Sequence, residues 1–249
     1  MKKTPYKTVQ LFATCLVGAF FPQVGMSVVD ILEAQGLTVE FPANQTCCGQ
    51  PAFNGGFWED ARAMARQTLD VLSAAKGPII IPSGSCADMI INHYADLLAD
   101  EPEYAAKIAD VTSRSYEFTQ FLVDELGVTD VGATHKGRLT YHSSCHGLRG
   151  LGISKQPKAL LSTVEQAEMV PLPGEETCCG FGGLFAVKMS DISGAMLQDK
   201  LDNIESTAAD TVVGIDLSCL MHIAGGLQKR GSKVQVKHVA EVINMKDEG

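Results

Sequence analysis

The hydrophobic pattern along the chain is that of short buried strands alternating with amphipathic helices. Thr8 to Ala13 is an apolar run broken only by Gln10 and opened by Thr8, which predicts a strand covered on both faces. Gln23 to Gln35 places Val24, Val28, Ile31 and Leu32 at helical spacing and meets Gly36, a C-terminal stop. Leu37 to Phe41 predicts a second strand, Pro42 to Gly56 a turn-rich loop, and Phe57 to Ala75 an alanine-rich helix closed by Gly77-Pro78. Ile79 to Ile81 predicts a third strand, which ends at Pro82-Ser83-Gly84-Ser85-Cys86.

The same order returns further on. Arg138 to Tyr141 predicts a strand, Pro157 to Ser162 a helix, Glu168 to Leu172 a strand, Lys188 to Ser206 a helix and Thr211 to Ile215 a strand. Strands alternating with helices predict an α/β fold with parallel sheets. The expected architecture is two pseudo-symmetric repeats, each a small parallel sheet flanked by helices, over residues 1–130 and 131–249 with a linker from Gly127 to Gly137. Tyr94 to Ser115, rich in Ala, Asp and Glu, reads as a helical insertion of the first half with a solvated face.

The repetition extends to individual residues. A shift of 131 lays Val39, Pro42, Thr46, Cys47, Cys48 and Gly49 on Val170, Pro173, Thr177, Cys178, Cys179 and Gly180. Cys15 falls on Cys145 with a shift of 130, and Cys86 on Cys219 with a shift of 133. Each half therefore carries a cysteine, a Cys-Cys-Gly triplet and a last cysteine, each just after a predicted strand. Ligands of open parallel α/β sheets bind outside those strand ends. Cys86 and Cys219 also begin helices, whose positive N-terminal ends favour a thiolate.

Composition narrows the chemistry. At 249 residues the chain can bury one sizeable core or two modest ones, and 45% hydrophobic with 20% charged is ordinary for a globular protein. A net charge of −9 without any Lys and Arg cluster argues against nucleic acid. Met1-Lys2-Lys3 ahead of the run Val9 to Phe21 imitates a secretory leader, but Gln10, Thr14 and Pro22 interrupt the run and no small-x-small cleavage site follows. No stretch reaches the roughly 20 apolar residues of a membrane span. The expected location is cytoplasmic, and eight cysteines there point to metal or redox chemistry rather than structural disulfides.

Four thiolates are what a cubane [4Fe–4S] cluster takes, and each half supplies four: Cys15, Cys47, Cys48 and Cys86, then Cys145, Cys178, Cys179 and Cys219. Zinc also takes four ligands, usually as tight Cys-x2–4-Cys pairs that staple a small fold. Ligands spread over three loops of a self-sufficient domain favour one or two clusters per chain over structural zinc, with unligated or paired cysteines as the plainest alternative. His142 and His146 bracket Cys145, and His146 is the stronger candidate for a ligand or an N–H donor to the cluster, beside the ordinary role of a satisfied loop residue. His93, His135, His222 and His238 carry no pattern.

Gly49, Gly55, Gly56, Gly180, Gly182 and Gly183 are expected to let the backbone approach the cluster. They do not make a dinucleotide fingerprint, because no strand runs into Gly180-Phe181-Gly182-Gly183 and Phe185 stands at the third-glycine place. Neither a nucleotide nor a flavin site is predicted. Arg149 and Lys188 could hold a small carboxylate, although surface charge is their plainer role. No nucleophile–base pair or carboxylate dyad supports a hydrolase.

The cysteine pattern resembles the duplicated cysteine-rich CCG domain found in heterodisulfide reductase and in related iron–sulfur oxidoreductases. Cys47-Cys48-Gly49-Gln50-Pro51-Ala52, Pro82-Ser83-Gly84-Ser85-Cys86, Ser144-Cys145-His146, Cys178-Cys179-Gly180-Phe181-Gly182-Gly183 and Cys219-Leu220-Met221 more narrowly resemble the lactate utilization protein A family. The heterodisulfide reductase type ends each motif in Cys-x-x-Cys, where this chain has Ser83 and Asp216. That departure puts a five-thiolate cluster and a heterodisulfide substrate in doubt.

The resemblance implies an iron–sulfur electron-transfer subunit of a cytosolic multi-subunit oxidoreductase, converting L-lactate to pyruvate with other iron–sulfur subunits as partners. Hydride chemistry needs an acceptor such as flavin or nicotinamide, so the isolated subunit is expected to turn over little. Two alternatives belong to other classes: a thiol–disulfide reductase subunit working through Cys47-Cys48 or Cys178-Cys179, and a non-catalytic zinc-binding module.

Overall fold

The structure is a computed structural model and describes residues 6–246. The chain divides into two compact units, Met1–Gly127 and Val128–Gly249. In the first, β1 (Thr8–Leu11), β2 (Thr38–Glu40), β3 (Ile79–Ile81) and β4 (Ser115–Glu117) form a parallel sheet in the order β2-β1-β3-β4. In the second, β5 (Thr134–Tyr141), β6 (Glu165–Met169), β7 (Thr211–Gly214) and β8 (Gln235–His238) form a parallel sheet in the order β6-β5-β7-β8. The α/β expectation of two like repeats with parallel sheets holds.

Strand burial follows composition. Ile79, Ile80 and Ile81 at the sheet centre are fully buried, whereas the edge strand Thr38–Glu40 is largely open to solvent. Around each sheet the helices turn their small and aliphatic residues inward. Trp58–Ser73 buries Ala61, Ala65, Thr68, Leu69 and Leu72, and Ser190–Ser206 buries Ser193, Leu197, Lys200, Leu201 and Ile204. Each of the second set follows its partner in the first by 132 residues, so the repeat extends to helix packing. The apolar run that imitates a leader supplies β1 and the helix Cys15–Ala19, with Val9, Phe12 and Val17 in the core.

Winding decides where the cysteines go. From β1 the chain crosses to β2 on one side and then to β3 on the other. The crevice at the carboxyl ends of β1 and β3 is therefore a topological switch point, where open sheets bind ligands. Cys15 lies just past β1 and Cys86 just past β3. Cys145 and Cys219 stand likewise past β5 and β7.

Four details differ from the sequence reading. Each sheet has a fourth strand, and β4 occupies the end of the stretch read as a helical insertion. β4 (Ser115, Tyr116, Glu117) and β8 (Gln235, Val236, Lys237, His238) look polar because their last residues serve the next helix. Glu117 Oε2 accepts the amides of Thr119 and Gln120 at 2.8 and 3.2 Å, and His238 forms a capping box with Glu241. The loop after Pro42 contains a short helix, Gln50–Gly55. The long helix of the second unit is preceded by a separate turn, Leu184–Lys188. The division between units lies at the start of the predicted linker, and β5 already begins at Thr134, with an irregular register between Thr134 and Gly137.

Candidate metal centres

Three segments of the first unit bring its thiols together. Cys15 opens the helix Cys15–Ala19, Cys47 and Cys48 come from the loop after β2, and Cys86 lies in the helix Gly84–Asp88. The Sγ atoms of Cys15 and Cys47 are 3.7 Å apart, and those of Cys48 and Cys86 are 3.4 Å apart. Cys48 and Cys86 are buried and Cys15 is exposed, so the group has an inner wall and an outer edge.

Local hydrogen bonds hold these loops. Gln45 clasps the end of β1, donating to Leu11 O at 2.7 Å and accepting from the Ala13 amide at 3.0 Å. Gln50 donates to Ser85 O at 3.2 Å, and the buried Tyr94 hydroxyl donates to Cys48 O at 2.9 Å. Ser83 caps its helix by accepting the Cys86 amide at 3.4 Å. The residue standing where the related reductase has a further cysteine is thus a helix cap, and so is Asp216, which accepts the Ser218 amide at 3.1 Å.

The second unit repeats the arrangement with Cys145, Cys178, Cys179 and Cys219. Cys145 and Cys178 interact directly, as do Cys178 with Cys179 and Cys179 with Cys219. Here a histidine joins the sulfurs: one ring nitrogen of His142 and the Sγ atoms of Cys179 and Cys219 lie within 4.8 Å of one another. His142 is 1% exposed and neither ring nitrogen makes a hydrogen bond of ordinary geometry. Burial drives its pKa down to about 3, so the ring is neutral. His146, the stronger candidate in the sequence, opens the turn His146–Gly150 directly after Cys145 and is half-buried.

Sequence reasoning ranked His142 below His146 and missed Lys200 altogether. Lys200 is 1% exposed, and its ammonium donates to Gly174 O at 2.6 Å and Glu175 O at 3.3 Å, fixing the loop ahead of Cys178. Burial lowers its pKa while the charges of the four thiols raise it. The repeat could have exposed both residues, since a shift of 130 puts His142 on Phe12 and a shift of 132 puts Lys200 on Thr68. A polar residue at a core position of its repeat is a signal.

Two of the glycines also have a packing role. Gly49 and Gly180 both have φ near +87° (86° and 87°), and an added Cβ would meet the backbone oxygen of Ala61 at 3.2 Å and of Ser193 at 2.7 Å. They therefore seat the Cys-Cys-Gly corner against the next helix. Arg149 donates to Glu176 O at 3.1 Å on the rim of an open recess of about 590 Å3 beside Cys178, and Lys188 is exposed at a helix end.

Within each group the thiols oppose one another's ionisation. The Cys15 thiol holds Cys47 down to about 3, and Cys145 holds Cys178 down to about 2, with the Gly180 amide helping at 3.4 Å. In return Cys15, Cys48, Cys145 and Cys179 are pushed well above the thiol range by those bonds and by burial. One thiolate forms easily and its neighbours resist. Four sulfurs this close deprotonate together only around positive charge, which is the chemistry of a metal-binding set.

The cysteine-rich CCG domain family matches twice, at residues 9–91 and 139–224. Lactate utilization protein A of Shouchella clausii (strain KSM-K16) is 46% identical over 239 residues, 96% of this chain and 99% of the relative. Its counterpart from Geobacillus kaustophilus (strain HTA426) is 44% identical over 239 residues, again 96% and 99%. The chain belongs to the lactate utilization protein A family. Within this family member both domain copies include all four of their cysteines. A hypothetical protein from Helicobacter pylori shares the fold, with a TM-score of 0.63 and 12% identity over 99% of this chain and 50% of that one. Among the described residues no helix is long and apolar enough to cross a membrane.

Proposed function

We propose that this protein is an iron–sulfur electron-transfer subunit that works with partner subunits in the oxidation of L-lactate to pyruvate. The observation that carries the electron-transfer part is the gathering of four thiols at the switch point of each sheet. The names of relatives covering nearly the whole chain support the lactate part.

Cys15, Cys47, Cys48 and Cys86 would hold one [4Fe–4S] cluster, and Cys145, Cys178, Cys179 and Cys219 a second. A bound cluster supplies one-electron transfer. The chain's own residues set the conditions. Buried Cys48, Cys86 and Cys179 keep water from the inner side, and half-buried Cys47, Cys145 and Cys178 with exposed Cys15 leave an edge for electron exchange. Ser83 and Asp216 cap the helices that carry Cys86 and Cys219 and so fix where those two sulfurs enter each group. Lactate gives up two electrons and two protons in becoming pyruvate. In this reading a partner supplies the hydride acceptor, and the chain passes on the electrons singly in the cytoplasm.

A second reading has one observation in its favour. Separations of 3.7 and 3.4 Å resemble the edge of about 3.8 Å expected for a tetrahedron of thiolates at ~2.3 Å from zinc. Thiolates bound to separate irons stand farther apart. A spread of ligands over three loops, rather than paired knuckles, supports the cluster.

Complementation tests the lactate assignment. A bacterial strain lacking its own member of this family is expected to regain growth on L-lactate with the native chain, but not with one carrying Cys48→Ser and Cys179→Ser. Growth restored equally by both would overturn the proposal.

A further inference from the structure

The two units share a fold but surround their thiols with different chemistry. The Phe12 amide donates to Ile80 O at 3.0 Å and the His142 amide to Val213 O at 2.8 Å, so the two residues hold equivalent places beyond β1 and β5. Both side chains are buried, Phe12 at 0% exposure and His142 at 1%. Lys200 and Thr68 are likewise equivalent, as the burial of their helices shows. The second pocket therefore has an imidazole and an amine where the first has a phenyl ring and a hydroxyl.

His142 is in an unfinished state. The Glu175 backbone reaches the ring but makes no hydrogen bond of ordinary geometry with either nitrogen; a buried ring N–H held so poorly costs much of its desolvation, and such groups are rare in native proteins. One nitrogen lies with the sulfurs of Cys179 and Cys219 inside 4.8 Å. A cluster among those sulfurs would give the ring N–H an acceptor. Lys200 Nζ is held on Gly174 O at 2.6 Å and Glu175 O at 3.3 Å, in the loop that runs into Cys178, where its charge and those of the thiols act on one another. Hydrogen bonds to sulfur and positive charge nearby both favour the form of a cluster that carries the extra electron.

We propose that the two centres are unequal: His142 donates a ring N–H to a sulfur of the second-unit centre, and with Lys200 makes it the more easily reduced. This inference rests on the cluster reading above. An electron from a one-electron donor then settles in the second unit first, the donor is oxidised by one electron, and no covalent bond forms or breaks. His142 is a positioning and tuning residue, distinct from the four ligands.

The test uses the full chain, reconstituted anaerobically with iron and sulfide and titrated with dithionite under electron paramagnetic resonance. Iron, sulfide and far-ultraviolet circular dichroism are measured first for each variant. The native chain is expected to show two reduction steps. His142→Phe, which copies the first unit, should move the less negative step to a more negative potential and leave the other step in place. His142→Gln, which keeps an N–H donor, should move it less. Lys200→Gln, which keeps a donor to Gly174 O without the charge, should move the same step in the same direction. Iron-loaded His142→Phe and Lys200→Gln proteins with native potentials would overturn the inference and leave the clusters standing. A shift of the other step, or a nitrogen bonded directly to iron in the native chain, would overturn it as well. A chain that takes up no iron and sulfide would overturn both the inference and the reading beneath it.

Discussion

The sulfurs of Cys48 and Cys86 stand 3.4 Å apart although 38 residues separate them. Neither loop alone could hold a polynuclear centre. The β1-to-β2-to-β3 winding returns Cys86 to the crevice that Cys48 enters from the far side of the sheet. If each unit holds its own centre, losing one of its sulfurs should empty one site only. Cys86→Ser or Cys219→Ser is expected to retain about half of the native iron and sulfide, and the double variant almost none. Elemental analysis of anaerobically reconstituted protein checks this, and a single substitution that removed all the iron would show the sites to be interdependent.

Gly180 and Gly194 lie near one another in sequence and should respond oppositely to alanine. At Gly180 a Cβ must fit a φ of +87° and stand 2.7 Å from the Ser193 oxygen, a clash with backbone that cannot swing away. Gly180→Ala should destabilise the unit by more than ~1 kcal/mol. Gly194 is inside the helix Ser190–Ser206 with nothing within 4 Å of its Cβ position. Gly194→Ala should stabilise by up to ~1 kcal/mol. Urea unfolding of the metal-free variants measures both, and equal effects would contradict the packing described for the Cys-Cys-Gly corner.

Acid sensitivity follows from His238, buried at 0% exposure with its pKa depressed to about 4 chiefly by burial. Its Nδ1 accepts the Ala240 amide at 3.2 Å, which requires a neutral ring. The unfolded chain binds a proton near pH 6.5 and the folded chain resists until about pH 4, so the neutral ring's contribution is present above pH 6.5 and is lost as pH falls toward 4. The full loss is on the order of 3 kcal/mol. His238→Asn keeps a capping acceptor without the titration and should flatten the stability profile in that window. An unchanged slope would place the acid sensitivity elsewhere.

How much was legible beforehand divides along physical lines. The repeat, the parallel sheets and the meeting of the cysteines follow from residue types whose meaning is local: apolar runs, helix stops and cysteine spacing. What escaped depends on tertiary neighbours. Ser115–Glu117 does not look like a strand, because Glu117 is there to cap the next helix, and only pairing with β3 reveals it. His142 ranks below His146 in a string of letters, and its approach to Cys179 and Cys219 from just past β5 shows only in three dimensions. Lys200 in a polar helix reads as surface until the loop carbonyls of Gly174 and Glu175 close over it.

Anaerobic purification with iron, acid-labile sulfide and zinc analysis, read beside electron paramagnetic resonance of the reduced protein, distinguishes clusters from zinc in both units at once. About eight irons and eight sulfides per chain are expected, four for each set of four thiolates, with a paramagnetic signal on reduction. Zinc at about one atom per unit, without sulfide and without a signal, would contradict it.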